Sequence, residues 1–311
     1  MLDPFSSVIG HSQICELLRR VLPHPGNAYL FFGPARIGKR FVAERFAAAL
    51  LDFPSDRILE GHPDFIRLKR EEGAKEIVVK QARELIQRVS LSAGRGGRMV
   101  VLIEEADFLN EEAANALLKV VEEPAAYITY LFLAERAERL PATLRSRMAI
   151  LPFAYVPSQI MRPWLRALGA EEAQAEEIMT WAHGCPGLAK YLLGARKEFE
   201  IERQRAKKFV ETLMIAPLGV RLAQIEEMTQ LIERSEEPEK RWRQFLQLCM
   251  QAHGALLETD PRAASRVGAG LIHAWRMVGS SLSPRFALEW SGVQATLNSR
   301  SLPSFLHPIT L

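Results

Sequence analysis

Cysteine is scarce in this chain of 311 residues: only Cys15, Cys185 and Cys249 occur. They lie too far apart to suggest either a disulfide framework or the close pairs of a structural zinc site. Long apolar runs are missing as well, since no stretch approaches the roughly 20 apolar residues that cross a bilayer. The amino-terminal Met1-Leu2-Asp3-Pro4-Phe5 carries neither a basic leader nor an apolar run. A cytoplasmic protein without membrane contact is therefore expected. Neither sign of charge is in large excess: 40 basic residues face 37 acidic ones, a formal charge of +3. That bias is too small for a surface that wraps nucleic acid wholesale, so any DNA contact must be local or shared with partners. Repeats of fixed period and low-complexity tracts are also absent. What remains, 48% hydrophobic and 25% charged residues, is ordinary globular composition with length for two or three compact units.

The first half alternates short apolar strands with amphipathic helices, the pattern of a parallel sheet covered on both faces. Strands are expected at Ala28–Phe32, Asp64–Leu68, Met99–Ile103, Ile128–Ala134 and Met148–Phe153, and helices at Ser12–Leu22, Lys39–Leu51, Val78–Leu91 and Asn110–Val121. In the last of these, Ala113, Ala114, Leu117, Leu118 and Val121 form one stripe, Asn110 can cap the start, and Pro124 stops the helix. After Pro157 the strand signal ends. A small helical unit is expected from there to about Arg196, turned internally by His183-Gly184-Cys185-Pro186-Gly187, and the charged Lys197–Lys208 stretch opens a larger one. Its helices are expected at Ile201–Leu213, Gly219–Arg234, Pro238–Leu257, Pro261–Val278 and Pro284–Asn298.

Following the first strand, Gly33-Pro34-Ala35-Arg36-Ile37-Gly38-Lys39-Arg40 fits the phosphate-loop pattern G-x-x-x-x-G-K-[ST] in all but its last position. Gly33 and Gly38 let backbone N–H groups curl toward phosphate oxygens, and Lys39 adds a full charge at a helix amino terminus. The missing hydroxyl is the one that holds magnesium. Arg40 has no lone pair for a metal and brings its own positive charge. No metal and no required cofactor are therefore expected, while metal-free contact of ATP or ADP phosphates with Lys39 and Arg40 stays physically open.

Met99-Val100-Val101-Leu102-Ile103-Glu104-Glu105-Ala106-Asp107 has the order of an acidic strand end, in which a first carboxylate holds the metal through water and a second polarises the attacking water. Glu104 stands at the first position with one methylene more than aspartate, and errors near 1 Å are already costly there. Glu105 stands at the second.

Three further segments resemble the AAA+ subunits of bacterial clamp loaders. The run from Asn110 through Leu117-Leu118-Lys119-Val120-Val121-Glu122-Glu123 to Pro124 resembles the helix after their acidic motif. Leu140-Pro141-Ala142-Thr143-Leu144-Arg145-Ser146-Arg147-Met148 resembles their Ser-Arg-Cys segment, with methionine for cysteine, and Val8-Ile9-Gly10-His11-Ser12-Gln13 resembles the stretch that lies against adenine. The resemblance implies an α/β AAA+ phosphate-loop module with a five-stranded parallel sheet over residues 1–156, a helical lid over 157–205 and an all-α collar over 206–311.

Four departures favour the non-hydrolysing delta-prime branch over the gamma/tau motors: Arg40, Glu104, Ala134-Glu135 where a motor has a small polar phosphate sensor, and Gly184-Cys185-Pro186-Gly187 where its lid carries G-x-x-R. The resemblance then implies that Arg147 is an arginine finger serving a neighbour's ATP, with Thr143 and Ser146 shaping its loop. The implied partners are gamma/tau motor subunits and a delta subunit, with the sliding clamp and primer–template DNA reached through the assembly. No cysteine lies between Phe53 and His62, where many family members have a zinc module, so no zinc is expected. Lys80, Arg83 and Arg95 could face DNA, although a solvated helix face or loop explains them more simply. An active gamma/tau-type motor, or another AAA+ nucleic-acid ATPase, is the competing reading.

Overall fold

The computed structural model describes residues 3–294 except 55–58, 72, 93–96, 124, 236–237, 255–260 and 281. Five strands, β1 (Ala28–Phe32), β2 (Phe65–Leu68), β3 (Met99–Ile103), β4 (Ile128–Ala134) and β5 (Ala149–Pro152), form one sheet in the order β2-β3-β4-β1-β5. All four pairings are parallel, with Phe32 beside both Ala134 and Pro152, Ile103 beside Phe132, and Leu68 beside Ile103.

Every residue of β3 and β4 is buried, as expected of parallel strands covered on both faces. The alternation of side chains divides the interior in two. Leu30, Val101, Ile103, Tyr130 and Phe132 join one core, Tyr29, Phe31, Val100, Leu102 and Leu131 the other. The first is covered by α3 (Val79–Ser92) and α4 (Glu111–Glu122), the second by α1 (Ser12–Val21) and α2 (Lys39–Leu50). The α/β module with helices on both sheet faces is thus present. The Asn110 side chain accepts from the Ala113 backbone N–H at 2.9 Å, capping α4 as its sequence implies. The short helix α5 (Ala142–Arg145) leads into β5, and α6 (Ser158–Ala167), α7 (Glu172–Ala182) and α8 (Pro186–Gly194) follow.

Contacts divide the chain into two compact units, Met1–Gly194 and Ala195–Leu311. The helix α9 (Arg196–Ile215) begins the second and runs unbroken through the 205/206 position where a boundary was expected. Its charges pair along one helix, Arg203 with Glu200, Arg205 with Glu202 and Lys207 with Glu211, which supports the charged start of this unit as helix. It is followed by α10 (Leu218–Glu233), α11 (Pro238–Gly254), α12 (Pro261–Met277) and α13 (Pro284–Gln294).

Arg221 on α10 is only 5% exposed, and no carboxylate pairs with it among the described residues. One terminal nitrogen donates to the Gly292 carbonyl at 3.1 Å and the other to the Met214 carbonyl at 3.3 Å. Met214 lies in the last turn of α9, where carbonyls lack intrahelical donors, and Gly292 lies on α13. One guanidinium therefore closes α9 and α13 together. Arg221→Ala should lower stability by roughly 2–4 kcal/mol by removing the donor to both carbonyls, and lysine should recover less than half because it lacks the fork. Urea denaturation checks this; an alanine variant with the wild-type midpoint rules it out.

Candidate nucleotide-binding cleft

Because the sheet is parallel, the segments leaving β1, β2, β3 and β4 emerge at one edge, the position where open α/β sheets hold ligands. A cleft of about 460 Å³ opens there, lined among others by Arg36, Lys39, Arg40, Glu104, Glu105 and Glu135. Gly33, Gly38, Lys39, Arg40, Glu104 and Glu105 are thereby brought to one place. Arg147 is not, and lies instead just before β5.

Gly33 has φ 147°, and a Cβ there would run into the Phe153 carbonyl oxygen, so glycine is required on both conformational and steric grounds. The Lys39 ammonium donates to the Gly33 and Pro34 carbonyls at 2.6 and 2.8 Å. Burial pushes its pKa down, against the opposing pull of Glu135 and Asp107. The group that should meet phosphate is held by its own loop. Asp107 is 8% exposed in the cleft wall, and among the described residues its Oδ1 accepts no hydrogen bond.

Arg40 lies in an ion-pair network. Its Nε is 2.8 Å from Glu44 Oε1 and 3.4 Å from Glu104 Oε1. From β2, Arg67 approaches Glu104 at 3.3 Å and Glu44 at 2.7 Å, and pairs with Glu60. Glu104 thus has two guanidinium groups where a first acidic residue would have a hydrated ion. Burial still raises its pKa, with Arg40 and Arg67 pulling the other way. Glu105, in left-handed backbone conformation at φ 51°, is gripped by Arg70 through Nε at 3.1 Å and a terminal nitrogen at 3.3 Å. Arg70 in turn lies 4.2 Å from the Phe108 ring centre. The carboxylate at the second position of the acidic motif is therefore already paired.

The helix after Cys185 sits directly on the phosphate loop. Gly187 N–H donates to the Arg36 carbonyl at 2.9 Å, and a Cβ on Gly187 would come within 2.7 Å of that oxygen. The Arg36 guanidinium stacks 4.6 Å from the Tyr191 ring centre. No side chain can be added at Gly187 without moving the loop. His11, from the segment that resembles an adenine contact, is hydrogen-bonded through Nε2 to the Ile37 carbonyl at 3.1 Å and rests on Phe153; burial lowers its pKa.

Arg147 donates to the Thr143 carbonyl at 2.8 Å and to Ser146 Oγ at 3.1 Å, and its other terminal nitrogen meets Glu122 at 2.7 Å. Ser146 Oγ also donates to the Thr143 carbonyl. Lys80 and Arg83 are exposed on α3, Lys80 beside Glu84, while Arg95 and Pro124 lie outside the described residues. The three cysteines are buried and free, and among the described residues no helix is long and apolar enough to cross a membrane. Arg67, Arg70, Glu44, Asp107 and Gly187 are site residues that sequence reading missed. The one available signal was a lone arginine inside the apolar β2.

Residues 11–157 match the family model described as DNA polymerase III, delta subunit. The DNA polymerase III subunit delta' of Pseudomonas aeruginosa is 39% identical over 183 residues, 54% of this chain and 56% of that protein. The Escherichia coli K12 subunit delta' is 39% identical over 130 residues, 41% and 39% of the two chains. The Haemophilus influenzae subunit tau/gamma is 31% identical over 156 residues, 46% and 22%. These matches span about half or less of the relatives' own lengths. Among solved structures, a DNA polymerase III gamma subunit-related protein from Thermotoga maritima superposes with TM-score 0.58 at 17% identity, covering 90% of this chain and 97% of its own. At that identity it shows a shared fold. Over residues 11–157 the chain is thus similar to the delta-prime subunits of DNA polymerase III.

Proposed function

We propose that this protein is the delta-prime subunit of a bacterial DNA polymerase III clamp loader, a cytoplasmic AAA+ stator that hydrolyses no ATP itself and lends Arg147 to a neighbouring gamma/tau-type motor. The observation that carries the reading is the placement of Arg40 and Arg67 around Glu104, where a working site would hold a divalent ion. Residues 157–205 would be the lid, and the helices from 206 onward the collar that joins those of motor and delta subunits. The assembly would open the sliding clamp and place it on primed DNA. Within it, a subunit without a nucleotide cycle gives the moving ones a fixed wall.

Two other features support this reading. Lys39 is engaged by its own loop, and Glu105 by Arg70, so neither is free for the work its motif implies. Titration of the purified chain with ATP, with and without magnesium, should give weak binding that the metal does not tighten, and no steady turnover. Metal-dependent tight binding with sustained hydrolysis favours an autonomous AAA+ ATPase.

A further inference from the structure

The Arg147 guanidinium is held from two elements. Thr143 and Ser146 belong to the segment that carries it, whereas Glu122 is the last residue of α4. Resting on the finger role proposed above, we infer that Glu122 is the positioning residue for Arg147. The Glu122 carboxylate fixes the guanidinium plane at the surface before a neighbour docks.

Two facts argue against a stabilising role for this pair. Arg147 and Glu122 are 41% and 38% exposed in their side chains, and exposed ion pairs change equilibria by about fivefold at most. A carboxylate at a helix carboxyl terminus also works against the helix dipole, so α4 gains nothing from Glu122 by itself. What the contact does supply is geometry. An arginine side chain is otherwise free to rotate, and a misplacement of about 1 Å can lower a rate by about a hundredfold.

The same magnitudes decide between positioning and restraint. A contact this exposed is too weak to keep a guanidinium from a phosphate group, whose charge draws it far more strongly in a water-excluded site. Its orienting effect, by contrast, persists after docking. Glu122 occupies one terminal nitrogen, and the guanidinium has five N–H groups to share. The carboxylate and a phosphate can therefore be held together.

The test uses the complete loader, reconstituted with wild-type or variant chain and assayed for clamp- and DNA-stimulated ATP hydrolysis. Glu122→Ala should lower kcat about tenfold, within the range that small misplacements produce, and leave KM for ATP and the assembled fraction unchanged. Glu122→Gln, which keeps the accepting oxygen, should retain most of the rate. If Arg147→Ala lowers kcat but Glu122→Ala does not, or if Glu122→Ala raises it, the positioning role is overturned while the finger stands. Glutamine losing as much as alanine overturns it too. An unchanged rate with Arg147→Ala removes the finger reading on which the inference rests.

Discussion

Arg147→Ala should reduce hydrolysis at the neighbouring site of the reconstituted loader by about 10³-fold or more, the range set by arginine fingers in phosphoryl transfer. The expectation follows from where the residue lies. Arg147 is partly exposed, is absent from the lining of its own subunit's cleft, and among the described residues bonds only to a neighbouring carbonyl, a hydroxyl and an exposed carboxylate. Its loss should leave this chain's stability within about 1 kcal/mol of wild type, as for other exposed ion pairs. A large effect on the assembly with a negligible one on the subunit is the signature of a group acting in trans. Arg147→Lys should recover little, since a point charge lacks the planar fork that spans two oxygens. The measurement is single-turnover hydrolysis in the presence of clamp and primed DNA, with melting of the isolated variant as control. If the rate is the same with alanine, the subunit is a scaffold only.

Several features of this molecule are legible in its sequence because they depend on local pattern. The strands β1, β3 and β4 have the expected ends, since each is an apolar run bounded by residues that cannot continue it. At the sheet edges the expectation overshoots: Asp64 lies outside β2, and Met148 and Phe153 outside β5, because an edge strand has one partner to fix its length. The phosphate loop is legible for the same local reason, and so is its missing hydroxyl. What occupies the metal's place is not. Arg67 meets Glu104 across 37 positions and Arg70 meets Glu105 across 35, and such pairings depend on the register of β2 against β3. The contact of Gly187 with Arg36 is longer in range still, and only the folded chain brings it about. The charged start of α9 is legible as the opening of a helical unit, but its helix begins at Arg196, five positions before the expected Ile201.

The second large effect is expected at Arg67. Its side chain is 15% exposed, as is that of Glu104, and it pairs with Glu104, Glu44 and Glu60. Replacing it by methionine keeps the aliphatic bulk on β2 but leaves Glu104 buried with only Arg40 beside it, at 3.4 Å. Breaking a buried pair by removing one partner typically costs about 3–5 kcal/mol; partial solvation here should bring this to roughly 2–4 kcal/mol, or on the order of 5–10 °C in melting temperature for a unit of this size.

The loss should depend on pH in a defined direction. Burial already raises the Glu104 pKa, and removing Arg67 takes away one of the two cations that oppose that rise. Between the unfolded carboxyl value, about 4.3, and the raised folded value, the folded chain keeps a proton that the unfolded chain has released. Stability therefore falls as pH rises through that window and is lowest above it. Arg67→Met should melt close to wild type near pH 4.5 and well below it at pH 8, and Glu104→Gln in the same background should flatten the difference. A deficit equal at both pH values shows instead that Arg67 serves Glu44 and Glu60, and that Glu104 needs no second cation. In that case Arg40 alone stands in for the metal.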